Sequence, residues 1–374
     1  MRKKVCIVTA SRSEYGLLRW VIDEVFHDEQ LELQLVVTGA HLIEEQGYTC
    51  KAIEADGYPI AAFADMHLKS DTQVDVVKSM GDCSVTFADT LSKLNPDVLV
   101  VLGDRYELLP ICSAALIMNI PIAHISGGDV TEGAIDNKVR NAITMISTYH
   151  FPGTNESANR IIRMIGSDSN VYVTGETNID NFNRIQKFNR CQLAESFGLN
   201  LEKKWVLCTY HPETLLSVEE NLNRVKALCN LFFDDLCDYE IVITKANADF
   251  GGIAINSYFE EQVKEQKNMH LFSSMGQAGY LSILYQVEFM IGNSSSGIYE
   301  SPYVGLPCIN IGNRQKGRKY TANIITIDGS YISMQNAIET IETVEFKEGL
   351  KYLANPYGDG HSSERIVEHL KSIL

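Results

Sequence analysis

The stretch VEFMIGNSSSGIYE, residues 287–300, joins a short apolar run to small hydroxyl-bearing residues and then to a helix start. The apolar run predicts a buried β-strand. Backbone N–H groups at a helix N-terminus have no intrahelical partner, and the helix dipole adds about half a positive charge, so a phosphate would fit beside Ser294 and Ser295. Glu300 follows within about two turns, where it would accept hydrogen bonds from a ribose diol. An ordinary capped helix is the alternative, because Asn and Ser are preferred caps.

The same succession of strand and helix recurs along the whole chain. Short β-branched runs alternate with helix-length segments, a pattern typical of βαβ units and of a parallel sheet buried on both faces. Two series of strands are predicted, at residues 4–10, 31–39, 96–103, 121–126, 148–153 and 170–175, and then at 205–210, 240–244, 269–272, 287–291, 307–312 and 323–327. The sequence therefore predicts an α/β protein with two Rossmann-like domains that contain parallel sheets.

The length of the chain agrees with two domains. Its 374 residues exceed the size at which one hydrophobic core keeps growing. Residues 176–204 are polar, rich in Asn and without a predicted strand, so we expect a hinge there. The N-terminal domain would then span residues 1–175 and the C-terminal domain residues 205–360, followed by a helix at 361–374. We expect the ligand to bind in the cleft between the domains.

Charge and composition exclude several classes of function. Lys and Arg number 32 against 48 Asp and Glu, and the net charge of -16 argues against nucleic-acid binding and against an anionic membrane surface. The nine cysteines form neither a CxxC pair nor a cluster with histidine, so no metal site is predicted. There is no GxxxxGKS or GxGxxG motif, so we expect no cofactor. The N-terminus predicts a first strand rather than a signal peptide, and no apolar run approaches the roughly 20 residues of a membrane span, so we expect a cytoplasmic protein.

Ligand-facing groups in an open α/β sheet lie just past the C-terminal ends of the strands. The rule needs only the predicted strands and no motif. It selects Ser11 and Arg12, residues 38–41, Asp104 and Arg105, residues 126–129, His211, residues 247–252, Ser294 and Ser295, and Arg314.

The loop HISGGDVTEGAIDNKVRNAI, residues 124–143, brings several acidic groups near a predicted helix start. Asp129, Glu132 and Asp136 lie among its glycines. Carboxylates crowded in a partly dry cleft raise one another's pKa, which would give one protonated acid and one ionised base at neutral pH. The structural alternative is a Gly-rich loop in which Asp136 caps the helix and pairs with Arg140.

Two further strand ends carry titratable groups. In GDRYE, Asp104 would transfer a proton and Arg105 would hold a negative charge, while a helix cap with a neighbouring surface charge is the alternative. His211 follows the strand 205–210, where a catalytic, a phosphate-binding and a turn-stabilising role remain open.

Basic groups are concentrated in two loops of this acidic chain. IGNRQKGRKY, residues 311–320, contains Arg314, and SRSEYG places Arg12 at the end of the first predicted strand. Local positive charge of this kind suggests neutralisation of a diphosphate, whereas a solvated surface turn is the alternative. Asn247, in KANADFGG, would bind sugar hydroxyls or cap a helix.

A set of motifs spread over nearly the whole chain resembles one family in order and wording. SRSEYG, VVTGAHL, GDRYE, HISGGDVTEGAIDN, YHPET, NADFGG, GNSSSGIYE, GNRQKGR and NPYGDG look like the hydrolysing UDP-N-acetylglucosamine 2-epimerases of sialic and legionaminic acid biosynthesis. The resemblance implies a fold of the GT-B type and a C-terminal helix, here 362–374, that packs back on the N-terminal domain. It also implies a small-molecule nucleotide sugar as partner and a homo-oligomer, a dimer.

The implied reaction has two steps. Removal of the C2 proton of UDP-N-acetylglucosamine, or of its 2,4-diacetamido-trideoxy analogue, accompanies loss of UDP and gives a 2-acetamidoglycal. Water then adds and releases a free sugar of the N-acetylmannosamine type with inverted C2. Such chemistry needs a carboxylate near C2 and an acid near the leaving oxygen. It also needs positive charge or oriented N–H groups for the diphosphate.

Roles carry over at the positions that match the family's motifs. Asp104 and Asp136 match catalytic carboxylates, and His211 matches a catalytic histidine. The remaining matches are to substrate-binding positions: Arg12 and Arg314 for the diphosphate, Ser294 and Ser295 for phosphate, Glu300 for ribose, and Arg105 and His41 in motifs with less defined roles.

One departure concerns the motif HIEGGE of the sialic-acid branch. This chain has Ser126 where that branch has a glutamate, so a catalytic acid is missing there, and Asp129 or Glu132 would have to replace it. The wording TEGAID is closer to the legionaminic branch, whose substrate is a UDP- or GDP-linked N,N'-diacetylbacillosamine. That hydrolysing epimerase is the first alternative. A GT-B glycosyltransferase, a non-hydrolysing UDP-N-acetylglucosamine 2-epimerase and a binding protein without turnover are the others.

Overall fold

Two compact units make up the part of the chain that the computed structural model describes, residues 2–43, 48–68, 72–130, 135–247, 249 and 251–374. The first unit is Met1–Asn183 together with Tyr357–Leu374, and the second is Arg184–Pro356. Each unit contains one six-stranded sheet in which every pair of neighbours is parallel. Among the described helices, none combines the length and apolar character that a membrane span requires. The predicted α/β class with two parallel sheets is confirmed.

The sheet of the first unit has the strand order β3-β2-β1-β4-β5-β6. Its strands are β1 (Lys3–Thr9), β2 (Leu31–Thr38), β3 (Ile60–Ala64), β4 (Val98–Leu102), β5 (Ile122–Ile125) and β6 (Tyr149–Phe151). Its helices are α1 (Arg12–His27), α2 (Cys50–Ala55), α3 (Gln73–Leu94), α4 (Leu108–Ile117), α5 (Asp136–Ile146), α6 (Asn155–Ile165), α7 (Asn181–Arg184) at the unit's edge and α16 (Ser362–Ile373), with short 3-10 helices at Gly39–Leu42 and Thr177–Asp180.

Alternate residues of the central strand β1 point to opposite layers of helices. Val5 and Ile7 belong to the apolar core that also contains buried residues of α1 and α16. Cys6 and Val8 belong to a second core that contains buried residues of α3 and α4. Because both faces of the sheet are covered, polar groups are accessible chiefly at the strand ends.

Helix α1 begins directly after β1 because Ser11 caps it. The Ser11 side chain accepts a hydrogen bond from the backbone N–H of Glu14, which satisfies one of the free donors of the first turn. Leu18, Ile22 and Val25 then form a buried stripe at helical spacing. The cap and the stripe together fix where the loop from β1 turns, and therefore where Arg12 lies.

The sheet of the second unit has the order β12-β11-β10-β7-β8-β9. Its strands are β7 (Lys204–Thr209), β8 (Tyr239–Thr244), β9 (Met269–Phe272), β10 (Phe289–Gly292), β11 (Cys308–Ile311) and β12 (Ile324–Ile327). Its helices are α8 (Arg190–Phe197), α9 (Val218–Asp234), α10 (Gly252–Glu265), α11 (Gly276–Leu284), α12 (Ser296–Tyr299), α13 (Ser301–Val304), α14 (Tyr331–Glu342) and α15 (Val344–Leu350).

Two strand predictions for the first half of the chain are wrong. The predicted strand 170–175 forms only an isolated parallel bridge between Val171 and His150. Strand β3 was not predicted, and it lies at the sheet edge with Phe63 52% exposed. Alanines between its larger residues make its apolar pattern weak, which is why the pattern did not indicate a strand.

The last helix is part of the first unit. Ile366, Val367 and Leu370 of α16 are buried in the same core as residues of β1 and α1. The carboxylate of Asp180 accepts hydrogen bonds from the backbone N–H groups of Ser362 (2.8 Å) and Ser363 (2.7 Å). This carboxylate satisfies two free donors of the first turn of α16 and complements the helix dipole.

Candidate functional site

In the first unit, Arg140 joins two of the predicted loops. Its guanidinium forms an ion pair with Asp104, the second residue after β4, and donates a hydrogen bond to the backbone oxygen of Asp129 at 2.9 Å. The Arg140 side chain is 8% exposed and that of Asp104 is 27% exposed. One nearly buried cation therefore fixes the loop after β4 to the loop after β5, and leaves the Asp104 carboxylate partly accessible.

The acidic residues of the loop 124–143 lie in different surroundings. Asp129 accepts a hydrogen bond from the Ser157 hydroxyl at 2.5 Å. Asp136 is the exposed first residue of α5, and the N-cap position belongs to Ile135, so Asp136 is not the cap that the structural alternative assumed. Glu132 lies outside the described residues.

Arg105 is compensated within the unit by two acids that the sequence analysis missed. It forms an ion pair with Glu107, whose residue is 1% exposed. Glu14, 3% exposed, accepts a hydrogen bond from the backbone N–H of Ala10 at 2.5 Å. Burial raises the pKa of Glu14 to about 7, although the Ala10 N–H and the Arg105 charge oppose the rise. A Glu in the first turn of a helix is common, so the sequence carried no signal that this one is buried.

His41 and Arg12 follow neighbouring strands but differ in accessibility. His41 is fully buried, with one ring nitrogen 3.0 Å from the Thr9 hydroxyl and the other 2.8 Å from the Thr49 hydroxyl. Burial lowers the pKa of His41 to about 4, so the ring is neutral at pH 7. Arg12 is the exposed first residue of α1. Of these two predicted binding residues, Arg12 is therefore the one open to solvent.

The end of β5 carries a polar pair that was not predicted. The Ser126 hydroxyl donates a hydrogen bond to the carboxylate of Glu176 at 2.9 Å. Glu176 directly follows the segment 170–175 that was predicted as a strand, so the strand-end rule could have selected it. Nearby, His124 is fully buried and bonds the backbone oxygen of Gly103 through Nε2 at 2.8 Å, which ties the ends of β4 and β5 together.

In the second unit, Asn293 organises the strand ends into a compact group. Its side chain accepts a hydrogen bond from the backbone N–H of His211 and donates one to the His211 oxygen, both at 2.7 Å. Its own backbone oxygen accepts from Arg314 at 3.3 Å and from the Gln315 amide at 2.7 Å. We call Asn293, His211, Arg314 and Gln315 the Asn293 cluster. The sequence analysis missed Asn293 because an Asn before serines resembles an ordinary helix cap.

The hydrogen bonds of His211 identify its tautomer. The backbone N–H of Asn247 donates to Nδ1 at 3.1 Å, so Nδ1 is an acceptor and the proton of the neutral ring lies on Nε2. Burial, with a smaller contribution from the Arg314 charge, lowers the pKa of His211 to about 4. At pH 7 His211 is therefore a neutral hydrogen-bond donor through Nε2.

Arg314 is held beside His211 by a loop that Glu213 anchors. The buried Glu213 carboxylate accepts hydrogen bonds from Arg224 at 2.6 Å and from the backbone N–H of Asn313 at 2.9 Å. Burial lowers the pKa of Arg314, partly offset by Asp249. An arginine remains charged at pH 7 even so, and burial makes an anionic ligand a more favourable neighbour for it.

The serine segment is shorter as a helix than the sequence suggested. Helix α12 spans only Ser296–Tyr299, and Glu300 separates it from α13. The dipole of one turn is small, so the oriented N–H groups near Ser294 and Ser295 would carry most of any anion binding. Both serines are partly exposed, and Glu300 accepts a hydrogen bond from the Ser296 hydroxyl at 2.5 Å.

Close packing fixes the start of this segment. A side chain at Gly292, which has φ 142°, would overlap the backbone oxygen of Thr209 in the neighbouring strand β7. Glycine is therefore needed where β10 leaves the sheet. The predicted residues of the second unit thus lie after β7, β10 and β11, with Asn247 joined to them through His211.

Three comparisons with known proteins agree with this description. A family model described as UDP-N-acetylglucosamine 2-epimerase matches residues 23–371. A Campylobacter jejuni protein named GDP/UDP-N,N'-diacetylbacillosamine 2-epimerase (hydrolyzing) is 39% identical over 93% of this chain and 89% of its own. A Legionella pneumophila protein named UDP-N,N'-diacetylbacillosamine 2-epimerase (hydrolyzing) is 30% identical over 100% of this chain and 97% of its own.

A solved structure shows the same fold. The UDP-GlcNAc 2-epimerase from Neisseria meningitidis, bound to UDP-GlcNAc, matches with a TM-score of 0.80 and 22% identity over 99% of this chain and 100% of that chain. The resemblance inferred from the ordered motifs is confirmed at the level of the family and of its GT-B type of fold. The chain belongs to the UDP-N-acetylglucosamine 2-epimerase family, a family of enzymes.

Proposed function

We propose that this enzyme is a hydrolysing 2-epimerase whose substrate is a nucleoside-diphosphate-linked 2,4-diacetamido-trideoxyhexose. The Asn293 cluster carries the proposal, because it presents a neutral imidazole donor and a cation beside the Ser294 segment. That combination suits a diphosphate leaving group, which gains negative charge as its bond to the sugar breaks. The two relatives described above, both named as diacetylbacillosamine epimerases, support the choice of sugar over N-acetylglucosamine.

The proposed reaction proceeds in two redox-neutral steps. A carboxylate removes the C2 proton, the C2–H electron pair forms the C1=C2 double bond, and the C1–O bond breaks to release the nucleoside diphosphate. In the second step a carboxylic acid protonates C2 from the opposite face, and the oxygen of water bonds to C1 while one proton of that water passes to a base. The products are the nucleoside diphosphate and a free sugar with inverted C2.

The second unit would bind the nucleotide. Arg314 would neutralise the diphosphate, and Nε2–H of His211 would donate to an oxygen whose charge grows in the first step. The N–H groups near Ser294 and Ser295 would bind phosphate, and Glu300 would bind the ribose diol. Asn247 would contact sugar hydroxyls and fix the His211 tautomer through its backbone N–H.

The first unit would supply proton transfer. Asp104 is our choice for the carboxylate that removes the C2 proton, because its ion pair with Arg140 fixes its orientation and its side chain is 27% exposed. Asp136 and Asp129 would provide further carboxylates, and the exposed Arg12 would add positive charge for the diphosphate. His41 would support the site from the interior rather than bind its ligand, since both of its ring nitrogens already have partners within the unit. Arg105, whose side chain is 35% exposed, would contribute positive charge to the substrate site while paired with Glu107.

The experiment that tests this function compares three donors in heavy water. UDP-linked diacetylbacillosamine, its GDP-linked counterpart and UDP-N-acetylglucosamine are incubated separately with the enzyme and followed by proton NMR. We expect nucleoside diphosphate and a free sugar with inverted, deuterated C2, formed faster from a diacetamido donor. A donor that stays intact until an acceptor is added would indicate a glycosyltransferase, and a nucleotide-linked epimer would indicate the non-hydrolysing reaction.

We further propose that the enzyme is a cytoplasmic dimer. Val74, Val77 and Val85 of α3 are each more than 60% exposed and recur at helical spacing, which leaves an apolar stripe for a second copy to cover. Light scattering of the protein and of a Val77→Asp variant would distinguish a dimer from a monomer. We expect a dimer for the first and a monomer for the second.

A further inference from the structure

We propose that Ser126 and Glu176 form a proton-transfer pair for the hydration step, in which Ser126 passes a proton from the attacking water to Glu176. This inference rests on the proposed function. It assigns a role to a buried acid that none of the steps above uses, and it makes Glu176 a positioning residue that acts through a serine hydroxyl.

The pair lies at the same sheet edge as the proposed catalytic carboxylate. Ser126 directly follows β5, whose Ile125 is in register with Leu102 of the adjacent strand β4. The backbone N–H of Gly103 donates to the oxygen of Ile125 at 3.0 Å, so the chain leaving β4 toward Asp104 starts beside Ser126. Ser126 and Asp104 therefore follow neighbouring strands at the same edge of the sheet.

The two members of the pair differ in accessibility. Glu176 is 9% exposed, whereas Ser126 is only partly buried, so the hydroxyl is the end that a ligand can reach. The direction of the hydrogen bond, from the Ser126 hydroxyl to the Glu176 carboxylate at 2.9 Å, leaves the serine oxygen able to accept a proton. A hydroxyl that donates to a carboxylate can pass a proton on to that carboxylate, which then acts as the general base.

The backbone of Ser126 is held in an uncommon conformation. Its φ of 55° lies in the left-handed region, which is unfavourable for a residue with a side chain. The hydrogen bond from the Ser126 N–H to the oxygen of Phe151, at 3.0 Å, holds the segment against β6. Such conformations persist where the surroundings dictate them, and here the result is a hydroxyl aimed at Glu176.

Glu176 is itself fixed by three other segments. A side chain at Gly153 would overlap the Glu176 carboxylate, so the glycine provides the space that the acid occupies. The backbone N–H of Glu176 donates to the oxygen of Tyr357 at 2.6 Å, and the Ser362 hydroxyl donates to the oxygen of Glu176 at 3.2 Å. Residues far apart in sequence thus hold Glu176 in place at the end of the sheet.

The pair also provides a carboxylate beside position 126, where the sialic-acid branch has a glutamate and this chain has a serine. The sequence analysis looked for a replacement acid in the same loop, at Asp129 or Glu132. In the structure the carboxylate that touches position 126 comes from a residue 50 positions later. The acid that the chain lacks at this strand end is therefore supplied in space by Glu176.

The proposed step balances as follows. The oxygen of water bonds to C1 of the glycal while one of its protons moves to the Ser126 oxygen. The hydroxyl proton of Ser126 moves to the ionised Glu176, which becomes neutral. The C1=C2 electron pair takes a proton at C2 from a carboxylic acid, and Glu176 later releases its proton to solvent.

The test measures the two chemical steps separately in a Glu176→Gln variant, which keeps the size of the side chain and removes its basicity. Rapid-quench samples give nucleotide release for the first step and free sugar for the second. We expect nucleotide release within about threefold of the wild type and hydration slowed about 100-fold, so that the 2-acetamidoglycal accumulates. Ser126→Ala should show the same imbalance, and the double variant should be no slower than either, because the residues act as one unit.

Matched controls use residues outside the pair. Glu32→Gln changes an exposed strand residue, and Ser147→Ala removes a hydroxyl that bonds the backbone oxygen of Ile143 at the end of α5. Both should turn over at the wild-type rate without glycal. Loss of folded protein lowers the rates of both steps together, so it cannot slow hydration alone. If Glu176→Gln does not fold, the Ser126→Ala variant tests the proton-transfer pair.

Two failures can be told apart. A wild-type protein that releases neither nucleotide nor free sugar from any donor would overturn the proposed function, and this inference with it. Wild-type turnover combined with normal hydration, or with equal slowing of both steps, in Glu176→Gln and Ser126→Ala would overturn the proton-transfer pair alone.

Discussion

His211 shows how one backbone contact determines what a side chain can do. The Asn247 N–H donates to Nδ1, and burial keeps the ring neutral, so the imidazole offers a proton at Nε2 at every pH near 7. A protonated ring would lose the Asn247 contact, because Nδ1 could no longer accept. The residue is therefore suited to donate a hydrogen bond to an anion and unsuited to act as a cation.

We predict that His211 does not titrate between pH 5 and 8. Its pKa of about 4 lies below that range, so the neutral form persists above pH 5 and is lost only as the pH falls through about 4. Nitrogen-15 NMR of histidine-labelled protein, with His211→Gln used to assign the signal, should show a bare Nδ1 and a protonated Nε2 at pH 7. A midpoint near 6.5, or a protonated Nδ1 at neutral pH, would contradict the assignment.

At the scale of elements, the end of β10 matters more than the helix that follows it. Asn293 joins this strand end to the end of β7 through His211 and to the loop after β11 through Arg314 and Gln315. Three separate segments thus depend on one side chain and its backbone oxygen. The cluster is a property of the loops at the sheet edge, since α12 has a single turn.

We predict that Asn293→Ala weakens nucleotide binding by about 10- to 100-fold. Loss of its two side-chain hydrogen bonds to His211 leaves partly buried backbone groups unpaired, which destabilises the cluster by about 1–3 kcal/mol. Calorimetric titration with UDP and GDP provides the measurement. Asn323→Ala is the matched control, because Asn323 is a fully buried amide that bonds Ser301 and Leu306 instead, and it should lose stability without a comparable loss of affinity.

Local patterns predicted the strand ends well because periodicity and turn residues are local properties. His211, Ser294 and Arg314 were selected from the ends of predicted strands, and the structure places His211 and Arg314 together with Asn293. The strand-end rule could have selected Glu176, but its hydrogen bond with Ser126 could not be predicted, because it depends on tertiary packing across 50 residues. Glu14 was missed for the same reason, since only the folded unit shows that the acid is buried.

At the scale of the whole molecule, the first unit concentrates histidines that the fold keeps neutral. Burial lowers the pKa of His41, His124 and His150 from the usual 6.5 to about 4 in each case. The unfolded chain therefore binds protons between pH 6.5 and 4 that the folded unit does not bind, so stability falls as the pH drops through this range. Glu14 acts in the opposite direction, because its pKa of about 7 makes the folded unit bind a proton earlier than the unfolded chain.

We predict that the first unit loses several kcal/mol of stability between pH 7 and pH 4. Each of the three histidines contributes up to about 3 kcal/mol to the loss, and Glu14 offsets roughly one of them. The chain has two tryptophans, Trp20 in the first unit and Trp205 in the second, so Trp205→Phe and Trp20→Phe variants report each unit separately by fluorescence during urea unfolding. An unchanged urea midpoint for Trp20 at pH 4.5 would contradict the prediction.

The carboxylate of Asp180 and the apolar face of α16 also set an order of maturation during synthesis. Leu370 and Ile366 complete a core that begins at Val5, so the first unit stays unfinished until α16 has left the ribosome. The second unit is one unbroken segment, Arg184–Pro356, and all of it has been made by then. The half of the enzyme translated first is thus the half finished last, and a nascent chain stalled before α16 would expose the apolar surface of α1 to chaperones.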